Sequence, residues 1–501
     1  MNKYLAYYTI LSLILLSSCF DNHTYVKPIG AKIQTLDPRK TRDRCDYMIA
    51  RSIYGQFLEI NDFGEIEPSA FESWDVSDDG KSYIFSLRQN IFFHSGKSLT
   101  VDDVIFTINF LASKGSLVSK FFSSIEGYDD FIEKKAVQII GVKKIDSKHL
   151  QINLKKPSYI FLDMLADLKV VVLPLNLNDL SEEVFFQKPD GIGPYVLEKI
   201  SADKSELTLK RYDRYFKHKS NIKYYRISAM TEQEALERFL KGSVHDLEVF
   251  SIAKGALNGL KNYGNTFSQS SYSTTFLFFN GRKKIFQDKE VRKLIYKAID
   301  TKKLETGCDL HTLPSTGIIP HGVMGWKDGD EPIRIRNSLT TRKINSIKLI
   351  SYGIKLPDCI LKNIKRQLEE NLNIKVIYKN IAVDEMPEVF RSGDYDLLFD
   401  SLSIRGKDPY YLFTYFDPAS PQSITFFHDS NITQMLEKIE GSPANTRAQK
   451  YITLNNYIID TNFYAIPLYT DLKFYIFNKK VKSNGIPTTL FGNTGLERIN
   501  L

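Results

Sequence analysis

Cysteine and tryptophan are scarce in this sequence of 501 residues, which holds four cysteines and two tryptophans. No two cysteines stand in the C-x-x-C spacing of a metal or redox site, and four are too few for a disulfide framework. One disulfide can form among Cys45, Cys308 and Cys359, and the sequence does not select the pair. The eight histidines are dispersed, and His311 and His321 lack the spacing of ligands on one helix face. We therefore expect neither a metal site nor a cofactor.

Long runs of one charge sign are also missing. The formal net charge is +8, but the lysines are spread along the chain and no five like charges stand together. The 28 tyrosines and 33 phenylalanines are not interleaved with clustered arginine and lysine, as they would be in a protein that stacks on nucleic-acid bases. The pattern argues against a nucleic-acid partner and indicates a solvated basic surface.

Residues 77–96, SDDGKSYIFSLRQNIFFHSG, look most like a catalytic cluster because they hold Asp78, Asp79, Arg88 and His94. Asp79 precedes a glycine, and this dipeptide is typical of a hairpin turn. Arg88 is expected to meet a nearby carboxylate. His94 has neither a nucleophile nor an orienting partner near it in the sequence. The stretch is therefore predicted to be scaffold, and no catalytic residue is assigned.

Strand periodicity surrounds this turn. Tyr83, Phe85 and Leu87 alternate with smaller or polar residues, which predicts a strand with one buried face. Upstream, AKIQTLDP (31–38) is also predicted to be a strand, ending at Pro38. With 501 residues the chain exceeds the size of one hydrophobic core, so two or three domains are expected.

Strand and helix periods alternate in the second half of the chain. Ile347–Tyr352 is a predicted strand, residues 358–372 have apolar residues at helical spacing, and two more strands follow in IKVIYKNI and DYDLLFDSLSI. This alternation predicts a parallel, doubly wound α/β domain. No glycine-rich phosphate loop follows these strands, so a nucleotide site is not expected. Ligands bind at the carboxyl ends of strands in such sheets, which points to the loop after Ile404.

The N-terminus resembles that of a bacterial lipoprotein. Lys3 precedes the short apolar stretch YTILSLILL (8–16), which is far shorter than a membrane helix. Leu16-Ser17-Ser18-Cys19 follows, with small residues before the cysteine, as in a lipobox. We expect residues 1–18 to be a signal peptide and Cys19 to carry the lipid that holds the mature protein to a membrane. The alternative is an ordinary signal peptide with an incidental cysteine.

Motifs along nearly the whole mature chain resemble those of the dipeptide- and oligopeptide-binding lipoproteins of bacterial ABC importers, the extracellular solute-binding proteins of family 5. The strongest segment is Ile66–Ala112, with ESW, DDGK, LR, FHSG and a helix opened by TVDDV. The sequence departs from the family at Ile192, Phe216, Lys293 and Leu294, which are differences within scaffold elements. Further matching motifs are GIGPYVLEK at Gly191, RYDRYF at Arg211, FFN ending at Asn280, VRKLIYKAID at Val291, GDYDL at Gly393 and IPLY at Ile466.

The resemblance implies a periplasmic-binding-protein-like α/β fold with two lobes that close on a solute about a hinge. Closure would occur at crossing strands near Phe279 and Lys473. A solute that touches both lobes only in the closed state stabilises that state. The expected parts are lobe I (19–61, 181–279 and 473–501), a hairpin-rich subdomain packed on it (62–180), and lobe II (280–472).

The resemblance also implies where a solute binds. Peptide receptors of this family pair the free ammonium of the peptide with an aspartate of the second lobe, and Asp408 in SIRGKDPYYLF (403–413) is the candidate here. Arg405 leaves an alternative open, because an acidic residue lies near this position in several relatives. Arg405 could instead face a ligand carboxylate. The other candidate cleft residues are Leu36, Tyr272, Phe276 and Tyr469.

The expected function is that of an extracytoplasmic receptor that captures peptides and delivers them to a membrane permease of an ABC importer. The expected partners are the solute, the permease subunits and, through the lipid, the membrane; the protein is expected to be a monomer. A non-peptide solute such as a nickel chelate, haem, an oligosaccharide or an opine is the alternative within this class. A signalling lipoprotein without a permease of its own is the alternative outside it.

Overall fold

A computed structural model describes residues 23–41, 44–62, 64–250, 254–304, 308, 311–326, 344–352, 357–382, 385–404, 408–420, 422–483 and 496–501. The predicted signal peptide, Cys19 and Arg405 lie outside these residues.

Within these ranges, the strands are β1 (Thr24–Ile29), β2 (Leu58–Ile60), β3 (Ile66–Pro68), β4 (Phe71–Val76), β5 (Ser82–Leu87), β6 (Val142–Lys144), β7 (His149–Asn153), β8 (Tyr195–Ile200), β9 (Glu206–Arg211), β10 (Tyr224–Ala229), β11 (Asp246–Phe250), β12 (Gly264–Ser270), β13 (Ser273–Phe279), β14 (Thr312–Pro314), β15 (Ser346–Tyr352), β16 (Lys375–Ile381), β17 (Leu397–Ser403), β18 (Ala465–Asn478), β19 (Lys482–Ser483) and β20 (Ile499–Asn500).

The α-helices of the same residues are α1 (Arg44–Tyr54), α2 (Val101–Ala112), α3 (Tyr128–Ile132), α4 (Phe161–Leu165), α5 (Glu182–Gln187), α6 (Glu232–Leu240), α7 (Lys254–Leu260), α8 (Lys284–Gln287), α9 (Lys289–Ala298), α10 (Asp358–Leu372), α11 (Met386–Ser392), α12 (Tyr410–Thr414), α13 (Ser430–Glu440) and α14 (Ala444–Asn456).

The hairpin-rich subdomain contains an antiparallel sheet in the order β4-β5-β7-β6. The predicted hairpin turn is confirmed: it joins β4 to β5, and Gly80 has φ +67°, a conformation that glycine adopts without strain. Tyr83, Phe85 and Leu87 are buried while the residues between them are not, so the predicted alternation is also confirmed. One face of this sheet therefore packs on the core.

The strand predicted over residues 31–38 is wrong. The first strand of the described chain is β1, which pairs in parallel with β10. Residues 31–38 follow β1 without joining a sheet, because isolated hydrogen bonds take their polar groups. The N–H of Ile33 donates to the carbonyl of Lys204, and the N–H of Gln34 donates to the carboxylate of Asp46. Asp37 accepts hydrogen bonds from the backbone N–H and the guanidinium of Arg39, and the Thr35 hydroxyl accepts one from the N–H of Asp37.

The parallel α/β arrangement of lobe II is confirmed. β15 pairs in parallel with both β16 and β17, and α10 crosses between β15 and β16. The helix has the predicted bounds, Asp358–Leu372, with Ile360, Ile364 and Leu368 buried. The carboxyl ends of these strands therefore meet at one edge of the sheet, followed at β17 by the segment that contains Asp408.

Strand β18, with 14 residues, connects the two lobes. Its first half pairs with β13 and β14 and its second half pairs with β11 and β12. β13 pairs with β17 of lobe II along its whole length. The chain thus joins the sheet that contains β17 from Ser273 onward, and the lobe boundary at 279 stays a prediction.

Two large clusters of buried apolar side chains form the cores. The first contains residues of lobe I together with residues of the hairpin-rich subdomain, so the subdomain packs on lobe I. The second extends from Phe276 to Tyr469 within lobe II. A disulfide between Cys308 and Cys359, with Cα atoms 5.7 Å apart, joins the segment before β14 to the first turn of α10.

None of the helices described here has both the length and the apolar character needed to cross a membrane.

Candidate functional site

The segment that follows β17 begins beside the crossing strands. The backbone N–H of Ile404 donates to the carbonyl of Tyr272 over 3.0 Å, and Ser403 pairs with Ser273. Tyr272 has φ +49°, a left-handed conformation that is unfavourable for a bulky side chain and recurs at functional sites. The structure therefore brings Tyr272 together with the start of the segment that contains Arg405 and Asp408.

The other three candidate cleft residues are buried. Phe276 has no accessible surface and packs against Phe278 and Phe416 in the core of lobe II. Tyr469 of β18 pairs with Thr275 of β13. Leu36 lies in the core of lobe I, and its carbonyl accepts a hydrogen bond from the Tyr54 hydroxyl. These residues are part of the buried cores and present little surface to a solute.

Asp408 lies in a buried ion pair. Its Oδ2 is 2.7 Å from Nη2 of Arg447 in α14, and the two side chains keep 4% and 5% of their surface exposed. The Tyr451 hydroxyl, one helical turn further along α14, donates to Oδ1, which also accepts the backbone N–H of Tyr410. The carboxylate therefore fixes the start of α12 against α14.

A second carboxylate approaches the same guanidinium from the hairpin-rich subdomain. Oδ2 of Asp163 in α4 lies 3.8 Å from Nη2 of Arg447. Burial and repulsion by Asp408 together raise the pKa of Asp163 to about 8, although Arg447 opposes the shift. Burial and the neighbouring carboxylate therefore favour the protonated form of Asp163.

Further contacts join the subdomain to lobe II around this cluster. The N–H of Tyr159 donates to the carbonyl of Glu440 over 3.0 Å, and Nζ of Lys156 lies 3.3 Å from the carboxylate of Glu440. The rings of Phe121 and Tyr411 pack with their centres 5.6 Å apart. The subdomain thus touches both lobes, lobe I through a shared core and lobe II through a mainly polar surface.

The residues that resemble a catalytic cluster do not come together. Asp79 accepts from Ser77 within its own turn, and Nε2 of His94 lies 3.0 Å from the carbonyl of Gly193. Burial lowers the pKa of His94, which keeps the ring neutral. The expectation that Arg88 meets a carboxylate is wrong: its Nε donates to the carbonyl of Ser69. No group of three or more metal-ligating side chains occurs among the described residues.

A cavity of about 240 Å³ lies inside lobe I, away from the crossing strands. Its charged walls compensate one another, since Glu59 lies 3.2 Å from Arg51 and 3.3 Å from Lys217. Burial would raise the pKa of Glu59, but the two cations outweigh it and the pKa is lowered. Because the cavity lies away from the crossing strands, we do not assign the solute site to it.

Sequence reasoning missed Arg447 and Asp163. A signal was present for Arg447, because it stands one turn before Tyr451 on the buried face of α14, and a buried arginine requires an acidic partner. Asp163 likewise stands alone among the apolar residues FLDMLA. The sequence could reveal neither partner, because Asp163 and Arg447 are brought together only by the fold.

Comparison with known proteins identifies the class. Residues 65–423 match the family model described as "Bacterial extracellular solute-binding proteins, family 5 Middle". The chain belongs to this family, and the resemblance seen in the sequence is confirmed. Its fold is that of the periplasmic binding proteins, and as a member it is a solute-binding protein of the extracytoplasmic space.

Particular relatives lie at low sequence identity. The chain is 24% identical to the probable D,D-dipeptide-binding periplasmic protein DdpA of Escherichia coli over 95% of each chain. The murein tripeptide binding protein MppA of E. coli superimposes with a TM-score of 0.78 at 18% identity, covering 95% of this chain and 98% of MppA. A periplasmic oligopeptide-binding protein of Borrelia burgdorferi superimposes with a TM-score of 0.76 at 22% identity, covering 95% and 99%.

Proposed function

We propose that this protein captures peptides between its two lobes and delivers them to the permease of an ABC importer. Membership of family 5 supports this function, as do relatives described as binding dipeptides, a murein tripeptide and oligopeptides. The observations that support the proposed site are the contacts of two described residues. Ile404, at the end of β17, donates to the carbonyl of Tyr272 beside the crossing strands, and Asp408 is held by Arg447.

The proposed moving parts are lobe I with the hairpin-rich subdomain, and lobe II. Separate buried cores support this division. The hinge is proposed in the segment before Ser273 and in the middle of β18, where its partners change from β13 to β12. A solute bound across these strands stabilises the closed arrangement by its contacts with both lobes.

Two charges of the segment lead to different solute contacts. Asp408 is the predicted partner of a peptide ammonium, but Arg447 already compensates its charge, so an ammonium would compete with a buried guanidinium. The alternative left open by the sequence is that Arg405 faces a ligand carboxylate. We favour the carboxylate contact, with Asp408 and Arg447 holding the segment in position.

Peptides with modified ends test this choice. Binding of a tripeptide mixture, of the same peptides N-acetylated and of the same peptides C-amidated is measured by calorimetry and thermal shift. If Arg405 binds the carboxylate, amidation abolishes binding while acetylation is tolerated, and Arg405→Gln binds free and amidated peptides equally weakly. Arg391→Gln, an exposed substitution in α11, is the matched control. Loss of binding on acetylation alone would assign the contact to Asp408.

The solute class is tested by native mass spectrometry of whatever co-purifies with the protein. Peptide masses support the proposal. Retention of a haem, a metal chelate or a sugar, together with no response to peptides, would replace the peptide by that solute. No response to any solute would favour the signalling alternative, which the absence of an adjacent permease gene would support.

We further propose that the mature protein is a monomer anchored in the cell envelope by lipid on Cys19. The LSSC motif that ends the apolar N-terminal stretch supports this anchor. Radioactive palmitate labelling and the mass of the N-terminal peptide test it, with Cys19→Ser as the unlabelled control. Release of the unmodified wild-type protein in soluble form would contradict it.

A further inference from the structure

The hairpin-rich subdomain and lobe II meet at a surface that we call the latch interface. It consists of residues 121 and 156–167 on the subdomain and residues 408–411 and 437–447 on lobe II. The contacts are the Tyr159–Glu440 backbone hydrogen bond, the Lys156–Glu440 ion pair, the packing of Phe121 on Tyr411, and Asp163 against Arg447. Because the subdomain packs on lobe I, this interface must break when the lobes separate.

One cation is shared by two carboxylates at this interface. Arg447 lies 2.7 Å from Asp408 and 3.8 Å from Asp163. With both acids ionised, the cluster would carry one uncompensated negative charge. Asp408 and Arg447 are almost completely buried and Asp163 keeps 22% of its side chain exposed, so water screens this charge poorly.

Among the residues described, no cation other than Arg447 faces the Asp163 carboxyl. Besides Asp408 and Arg447, the groups that interact electrostatically with the Asp163 carboxyl are Tyr83 of β5, Tyr411 of α12 and Tyr451 of α14. Burial raises the pKa of each of these tyrosines, so they stay neutral in the physiological range. Asp167 and Glu440, which act with Asp163 on Tyr411, are also carboxyl groups, and Glu440 is paired with Lys156.

We propose that Asp163, Arg447 and Asp408 form a proton-dependent latch, which holds the hairpin-rich subdomain on lobe II when Asp163 is protonated and weakens when Asp163 ionises. Separation of the lobes exposes Asp163 to water, where a carboxylate is readily accommodated. Closure of the lobes therefore takes up a proton in the pH range in which the exposed Asp163 is ionised and the enclosed Asp163 is protonated.

The direction of the pH dependence follows from this linkage. An exposed aspartate has a pKa near 4, whereas enclosure at the latch interface raises the pKa of Asp163 to about 8. The closed state thus binds more protons than the open state between these values. Its population relative to the open state is highest below about pH 4, falls as the pH rises toward 8, and is constant above that.

Hydrogen exchange at the Tyr159 amide measures the latch directly, because this N–H is bonded across the interface to Glu440. The protein without solute is labelled at several values between pH 5 and 9, and the protection of pepsin peptides that contain Tyr159 is corrected for the intrinsic pH dependence of exchange. We expect protection to fall by up to about tenfold per pH unit up to pH 8.

Two variants complete the test. Asp163→Asn cannot ionise, so its protection should stay high and independent of pH, at least tenfold above that of the wild type at pH 8. Asp129→Asn, the same substitution at an exposed position of the same subdomain, should follow the wild type. A flat wild-type profile, or an unchanged slope in Asp163→Asn, would overturn the latch. The latch rests on the lobe motion proposed above, but because no solute is present, its failure is distinguishable from a failure of the proposed peptide binding.

Discussion

Arg447 and Asp408 form a buried ion pair, 2.7 Å between Nη2 and Oδ2, that joins α14 to the segment preceding α12. The pair lies beside the proposed solute segment and is almost inaccessible to water. Its first role is therefore positional, since it sets where that segment ends.

Removing one member of this pair should destabilise the protein strongly. Arg447→Met leaves a buried carboxylate without its cation, and we expect the free energy of unfolding to fall by about 3 kcal/mol. Urea denaturation at pH 7 measures this. The double variant Arg447→Met with Asp408→Asn should recover part of the loss, because no uncompensated charge remains. A double variant as unstable as the sum of the two single ones would show that the charges do not interact.

Reduction of the disulfide between Cys308 and Cys359 should lower stability. The bond closes a loop with a sequence separation of 51, for which loop-closure entropy corresponds to about 4 kcal/mol. Cys308→Ser with Cys359→Ser should reproduce the effect of dithiothreitol and should abolish further sensitivity to it. Cys45→Ser is the control, because Cys45 is outside the disulfide. Equal denaturation midpoints with and without reductant would contradict the prediction.

Stability should also fall on mild acidification because of His245. Its ring stacks on Tyr25, and its Nδ1 accepts the N–H of Val26. Burial lowers the pKa of His245 to about 4 despite the nearby Asp246. In the unfolded chain His245 takes up a proton near pH 6.5. The stability that the neutral, buried ring contributes is therefore complete above that pH and is lost as the pH falls to 4. We expect the free energy of unfolding to fall by about 3 kcal/mol between these two pH values.

The comparison of His245→Gln with the wild type isolates this effect. The glutamine keeps an acceptor and does not titrate, so its free energy of unfolding should change less between pH 7 and pH 4.5. His149→Gln, at an exposed position, should retain the full wild-type loss. The same pH dependence in all three proteins would exclude His245 as the cause.

The capping box of α2 should contribute about 1 kcal/mol to the free energy of unfolding. The Thr100 hydroxyl accepts the N–H of Asp103, and the Asp103 carboxylate accepts the N–H of Thr100. Thr100→Ala removes the first bond and should lower the free energy of unfolding by that amount. Thr100→Ser keeps the oxygen and should be nearly neutral. Equal losses in the alanine and serine variants would point to the lost methyl group instead of the cap.

Local pattern was sufficient where the chain forms regular elements with one buried face. The bounds of α10 and the alternation in β5 follow from side-chain periodicity alone. It failed over residues 31–38, where alternation is present but isolated hydrogen bonds, and not a neighbouring strand, take the backbone N–H groups of Ile33, Gln34 and Asp37. The spacing of apolar residues along the sequence does not show whether a neighbouring strand is available for pairing.

The site was less predictable for a different reason. The loop after β17 could be chosen from sheet topology and family resemblance, and the structure does place its start beside Tyr272. The counter-charge of Asp408 could not be chosen, because Arg447 lies in a helix 39 residues away and Asp163 in another part of the molecule. Charge compensation is a property of three-dimensional contacts, which no local period encodes.

Strand β18 makes the two lobes thermodynamically dependent on each other. Its first half is an inner partner of the lobe II sheet, and its second half pairs with β11 and β12. Residues 273–478 contain the sheet of lobe II and all of β18, so cutting them out removes the strand with which β11 and β12 pair. Fraying of β18 at either end removes hydrogen bonds from one lobe and loosens the strand that the other needs. Heat should therefore melt the two lobes in one cooperative transition.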